Sequence, residues 1–206
     1  MNIKNESQPE LSFRFTPKTS LNFDIMCNIT QAPKRYKSNL SLLIIMKNFN
    51  WKKHLVECMD STLFCALSTI ENGRTWTCPV LFAYDEKFNL YFISMLSSKH
   101  MQNIEKDGQV SVAIYSTKFG VDDDVFGIQI VGKAKVLPKN EVERAYEIYH
   151  KRKFPEANLL KQQLHKTMLK LMKKWKFVKI APVEIHYFDT RFFDEERQIV
   201  PEEVYK

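Results

Sequence analysis

The chain lacks most features that announce the commoner active sites. Its 206 residues include only five glycines, and none forms G-x-G-x-x-G or G-x-x-x-x-G-K-[ST]. That excludes the Rossmann dinucleotide fingerprint and the P-loop. The four cysteines, Cys27, Cys58, Cys65 and Cys78, have no C-x-x-C spacing, so they form neither a zinc motif nor a dithiol redox motif. They read as reduced, partly buried thiols of a cytoplasmic protein. His54, His100, His150, His165 and His186 are scattered without metal-ligand spacing, and no metal site is expected. The apolar run at 42–46, "LLIIM", is far too short for a membrane span and lies too far in for a secretory signal.

What is present points to a folded, β-rich domain. The chain is 44% hydrophobic and carries 15 Phe and 8 Tyr, residues that favour pleated sheet. A net charge of +7 suits an anionic ligand without selecting one. Residues 1–45 hold Pro9, Pro17 and Pro33 among many Asn and Ser and show no sustained period. They are expected to be a disordered N-terminal extension, with 40–46 docking on the folded domain, 46–206.

From Phe49 a pattern emerges. Trp51, Leu55 and Met59 recur every four residues, as on one helix face. "TLFCALSTI", "TCPVLFAYD" and "NLYFISML" read as three strands. Asn72-Gly73 is a hairpin turn between the first two. "SSKHMQNIEKDG" predicts a short helix, "QVSVAIYS" a fourth strand, and "FGIQIVGKAKVLP" a fifth with a bulge at Gly132. Helices are expected over 139–153 and 157–174, and "FVKIAPVEIHYFDTRFF" returns to strand. The acidic "KFGVDDD" reads as a solvated loop rather than a cation site. Short strands, mostly joined by hairpins, favour a closed antiparallel barrel.

Two segments could carry chemistry. Ser97-Ser98-Lys99 stands where a strand ends and a helix begins. Unpaired amides, hydroxyls and an ammonium there suit a phosphate, although a serine cap beside an exposed lysine accounts for the same residues. The segment "LLKQQLHKTMLKLMKKW" is a basic amphipathic helix. Leu160, Leu164, Met168, Leu171, Met172 and Trp175 line one face, with lysines on the others. It reads as a barrel-packed helix with a solvated lysine face rather than a membrane or nucleic-acid surface, and the aromatic interleaving expected for single-strand stacking is missing.

The order of helix, strand, Asn-Gly turn, "CPVLF", hairpin, strand, Ser-Ser-Lys, "MQNI" and "IQIVGKAKV" resembles the FMN-binding split barrel of the pyridoxamine 5'-phosphate oxidase superfamily, over about residues 49–190. "AYEIYHKRKFPEA" and "VEIHYFD" are similar to a small bacterial subgroup with no assigned reaction. The resemblance implies a mainly β fold with flanking α: a six-stranded antiparallel split β-barrel with peripheral helices. It also implies a homodimer with FMN in two interfacial clefts. Cys78, Pro79 and Val80 would run along the flavin ring, and Ile93 and Ser94 would lie near the ring and ribityl chain. Ser97, Ser98 and Lys99 would hold the phosphate, with Gln102 and Asn103 nearby. Gln129 would reach the cofactor, in one arrangement from the second subunit. The oxidase has Arg where Ser98 stands and a basic residue where Ala83 stands, and "HYFDTRFF" does not reproduce its substrate motif of Arg, His and Asp. Two readings follow: a flavin-dependent oxidoreductase acting on an unknown small molecule, in which the flavin performs the electron transfer, or a non-catalytic module holding flavin, haem or another anionic ligand.

Overall fold

The structure, a computed structural model, describes residues 48–206 apart from 119, 121–122, 157–162, 164–165, 168–172 and 194–195. The chain divides into two units, the second of which is Asn50–Lys206. The N-terminal extension and most of the basic helix expected over 157–174 lie outside the described residues.

Helix α1, Trp51–Asp60, starts at Asn50, whose side chain accepts from the Lys53 amide at 3.0 Å. Trp51, Leu55 and Met59 are buried on one face, at the expected spacing. Strands β1, Phe64–Glu71, and β2, Arg74–Leu81, form a hairpin. Its turn residues Asn72 and Gly73 have φ of 51° and 74°, the pair of positive values that matches the twist of the flanking strands.

After Phe82 the chain continues as β3, Ala83–Tyr84, which pairs with β4, Leu90–Met95. The turn between them is organised by buried Asp85. Its carboxylate accepts from the Lys87 and Asn89 amides at 3.0 Å each and from the Tyr91 hydroxyl at 2.9 Å. Helix α2, Lys99–Lys106, leads to β5, Gln109–Tyr115, and β6, Phe126–Val136. Helix α3 is Val142–Lys153, three residues shorter at its start than expected because Pro138 and Glu141 form a separate turn. Strand β7 runs Trp175–Asp189.

The hydrogen-bonded order is β2-β1-β5-β6-β7-β4-β3. β2 and β3 are one bent strand, paired with β1 before Phe82 and with β4 after it. The antiparallel sheet therefore curls round on itself as six strands. It stays split where β2 departs from β4, because no ladder joins them among the described residues. Leu67, Val112, Ile130, Ile185 and Phe92 fill the inner face. Each such buried side chain contributes about 1.5–3 kcal/mol. On the outside of β4, α3 packs Tyr146 and Tyr149 against Tyr91 and Phe177.

The bulge falls at Gly132, as expected, where the β6–β7 register shifts and Pro182 stands opposite. A Cβ at Gly132 would lie 2.7 Å from Ile180 Cγ2 and 3.0 Å from the Ala181 oxygen, so only glycine admits this close approach.

The strand expected through Phe193 ends four residues earlier. Thr190–Phe193 is a short helix, α4, because the Asp189 carboxylate accepts from the Arg191 amide at 3.0 Å and turns the chain. A short strand, β8 (Arg197–Ile199), then pairs with β7. Three residues carry no readable period, so the sequence did not announce it. Of the acidic loop, Phe119, Val121 and Asp122 lie outside the described residues; Asp123 accepts from the Gly120 amide at 2.6 Å.

Candidate functional site

The end of β4 and the start of α2 bring several expected residues together. Ser98 occupies the N-cap position but makes no side-chain capping bond. Its hydroxyl donates instead to the Met95 carbonyl oxygen at 2.7 Å. The Met101 amide donates to the Ser98 carbonyl oxygen at 3.1 Å, while the Lys99 and His100 amides, the first two of α2, have no acceptor among the described residues. These two are positioned as an anion site would require. The imidazole of His100 joins the serines, with Nε2 2.8 Å from Ser94 Oγ and 3.2 Å from Ser98 Oγ. Burial lowers the His100 pKa and favours its neutral form. Gln102 Nε2 donates to the Ser97 oxygen at 3.4 Å.

Lys99 is not free. It and Lys106 donate to the two carboxylate oxygens of Glu71. Those contacts, Lys106 first, hold the Glu71 pKa down to about 2. Asn103 is fully buried and donates to Thr69 Oγ1 at 3.0 Å. The Thr69 hydroxyl in turn donates to the Trp76 oxygen at 3.3 Å, so the Asn103 amide orientation is set by the network. Asn103 Oδ1 is left with no partner among the described residues.

The register places side chains on faces. Glu71, Thr69, Leu67 and Cys65 pair with Arg74, Trp76, Cys78 and Val80, and all point to the inner side of the sheet. Along β2 this row passes from exposed Arg74 and Trp76, through half-buried Cys78, to buried Val80. The gradient marks where the split leaves β2 uncovered. Burial raises the Cys78 thiol pKa, so the thiol stays protonated. At the open end lies a cavity of about 560 Å³ lined by Glu71, Asn72, Arg74, Trp76, Lys99 and Asn103, together with Thr75.

Pro79 and Gln129 belong to the opposite face. Pro79, Ala66, Ala113, Gln129 and His186 form one transverse row across β2, β1, β5, β6 and β7. Neighbouring strands are roughly 4.8 Å apart, which puts Pro79 and Gln129 about 14 Å from each other across the outer surface. A shallow cleft of about 570 Å³ there includes Ser68, Thr77, Tyr115, Gln129 and His186. His186 Nε2 lies 2.5 Å from Glu184 Oε1. Ile93 stands apart from both groups, packed against the cluster under α3. Thus Ser94, Ser97, Ser98, Lys99, Gln102 and Asn103 gather at α2, Cys78 and Val80 line the inner face of β2, and Pro79 and Gln129 share the outer face.

Sequence reasoning missed Glu71, Arg74 and Trp76. Their signal was the Asn-Gly turn itself: a two-residue turn pairs Glu71 directly with Arg74, and alternation puts Trp76 on the same face. His100 and His186 carried no signal beyond their residue type.

Residues 51–187 match the pyridoxamine 5'-phosphate oxidase family. No curated protein matches the sequence. Among solved structures, a conserved hypothetical protein from Mycobacterium tuberculosis is 16% identical with a TM-score of 0.58, covering 73% of this chain and 91% of its own. A haem-binding protein from Mycobacterium smegmatis is 13% identical with a TM-score of 0.53, over 72% of this chain; the match spans 56% of that protein's length. Campylobacter jejuni ChuZ is 18% identical with a TM-score of 0.53, over 66% of this chain and 54% of its own. These likenesses are to the fold. With the family match extending over more than half of its length, from α1 to the end of β7, the chain belongs to the pyridoxamine 5'-phosphate oxidase family.

Proposed function

We propose that the protein is an FMN-binding flavoprotein that acts as a flavin-dependent oxidoreductase on a small molecule. The observation that carries this reading is the uncapped N-terminus of α2, set at the open end of the split beside Ser94, His100 and Lys99. These residues fit a phosphate ester: the Lys99 and His100 amides and the Ser97 hydroxyl would donate, the Ser98 hydroxyl would join them on leaving the Met95 oxygen, and an ammonium lies alongside. Lys99, Ser97 and Ser98 would hold the phosphate, with Gln102 and Asn103 behind. Cys78, Val80 and Ser94, on the inner side of the split, would border the ring and ribityl chain. When bound, the flavin supplies the electron-transfer chemistry, and the chain supplies position and electrostatics.

Pro79 and Gln129 face outward, so within one protomer they do not join this group. They would meet a flavin only as the wall supplied by a second copy. Phe64, Tyr115, Val131 and Ile199, each about half exposed, give the outer face the apolar character of a surface that a homodimer would cover.

A second reading has its own support. A structural neighbour is described as haem-binding, and His186 gives the outer cleft an imidazole of the kind that ligates haem iron. The absorption spectrum of the purified protein separates the two. Flavin bands that bleach with NADH or NADPH are the expected result. A Soret band would replace the flavin reading with the haem one, and a colourless protein that rejects added FMN would overturn both. Light scattering on the same sample should give about twice the 24.4 kDa chain mass. A monomer would remove the second wall.

The chain is further read as cytoplasmic, on its unpaired thiols at Cys58, Cys65 and Cys78. Finding it oxidised and exported from its native cell in a fractionation experiment would refute that.

A further inference from the structure

The notch between the β1–β2 turn and α2 contains a cation that the resemblance did not assign. Arg74 stands opposite Glu71 in the register and projects on the same side. Both oxygens of Glu71 are already engaged by Lys99 and Lys106. Arg74 therefore lines the cavity with no ion-pair or hydrogen-bond partner among the described residues. A guanidinium presents a fork of donors matched to phosphate oxygens, which an ammonium does not. A second observation points to an occupant. Fully buried Asn103 lines the same cavity, and its Oδ1 lacks a donor among the described residues. A phosphate ester offers oxygens for Arg74, and a neighbouring hydroxyl would supply the donor for Asn103 once a rotation of that buried side chain brings Oδ1 to the cavity.

We propose that this notch is a phosphate-ester site in which Arg74 is the principal charged ligand and Glu71 opposes occupancy by retaining Lys99 and Lys106. The identity of the ester, the flavin phosphate, rests on the reading above; the anion site itself does not. Arg74 would thereby supply from the hairpin the guanidinium that is missing at Ser98. Three cations face one carboxylate, so the notch keeps positive charge while the lysines are paired. An arriving phosphate competes with Glu71 for Lys99 and meets no competitor at Arg74.

The test titrates the full chain with FMN, riboflavin and inorganic phosphate, following flavin fluorescence and the emission of the half-exposed Trp76, with Trp76→Phe as the control for the tryptophan signal. Arg74→Ala should weaken FMN binding about ten- to a hundred-fold and leave riboflavin unchanged. Arg74→Lys should recover part of the loss. Glu71→Gln should tighten FMN about two- to five-fold, again without effect on riboflavin. Inorganic phosphate should shift Trp76 emission in the parent and not in Arg74→Ala. If Arg74→Ala binds FMN and phosphate like the parent while Lys99→Ala does not, Arg74 is not a ligand and the proposal falls, with the flavin reading intact. If the parent binds neither flavin, that reading falls instead. A phosphate response abolished by Arg74→Ala would then still uphold the site as one for free phosphate or another ester, and no phosphate response would overturn it.

Discussion

Two carboxylates in this barrel each meet several donors, and they differ in almost everything else. Asp189, at the end of β7, is fully buried. It accepts from the Tyr187 hydroxyl at 2.5 Å and from Arg191 Nε and Nη2 at 2.9 and 2.7 Å. Arg191 reaches on to Glu57 at 2.8 Å, tying α1 to the end of β7. Its guanidinium pKa is raised, with Asp189 as the larger cause and Glu57 next. Glu71, at the end of β1, sits at the rim and is held by two lysines that reach into solvent. Asp189 and the Tyr187 that donates to it have lost their water, so that bond is required. Around Glu71 water can replace any partner, so the lysines can exchange. One network is buried and fixed, and the other is exposed and exchangeable.

The comparison is broken most easily at its buried end. Asp189→Ala would leave the buried Tyr187 hydroxyl without an acceptor and Arg191 held by Glu57 alone. It should cost about 3 kcal/mol of stability, the upper end for an unsatisfied buried group, read from urea midpoints, and leave phosphate affinity unchanged in whatever fraction folds. A loss under about 1 kcal/mol would mean that water or Glu57 replaces the carboxylate, and the contrast would disappear.

At the rim the effects should appear in binding rather than stability. Lys99→Ala should weaken FMN about ten- to a hundred-fold, from the roughly 1.5–3 kcal/mol of a charge-assisted contact, while urea midpoints barely move. Riboflavin, which has no phosphate, should hardly respond. Equal losses of FMN and riboflavin would make Lys99 a structural residue. No loss of either would reduce Ser97-Ser98-Lys99 to an ordinary helix start.

The smallest effect is in acid. The Glu71 pKa lies near 2 in the folded chain against an ordinary value of 4.5. A depressed carboxylate contributes stability that is present above its unfolded pKa and is lost as pH falls through the folded one. The stability difference between the parent and Glu71→Gln should therefore be constant above about pH 5, shrink below 4.5 and be gone near 2. It should also fade in high salt, as exposed pairs do. A difference that persisted at pH 2 would show that the two lysines matter through packing instead.

The sequence alone determined the elements whose causes are local. The Asn72-Gly73 turn, the four-residue spacing of Trp51, Leu55 and Met59, the Ser-Ser-Lys break and the bulge at Gly132 all stand where they were read, because each depends on a few neighbouring residues. Elements set by distant partners were not legible. β7 ends at Asp189 because Tyr187 and Arg191 converge on that carboxylate, and β8 exists only as an addition to the edge of β7.

The candidate site divides in the same way. The α2 residues were readable because they are consecutive. Pro79 was read beside Cys78 and Val80, yet pleating sends it to the other face with Gln129, 50 positions along the chain. Arg74, Glu71, Lys99 and Asn103 became one notch only when the hairpin folded over α2. Alternation along a strand is a property of the sequence, but which face meets which helix is fixed by closure of the sheet. Tertiary structure alone therefore decided that Lys99 is paired and that Arg74 has no partner among the described residues.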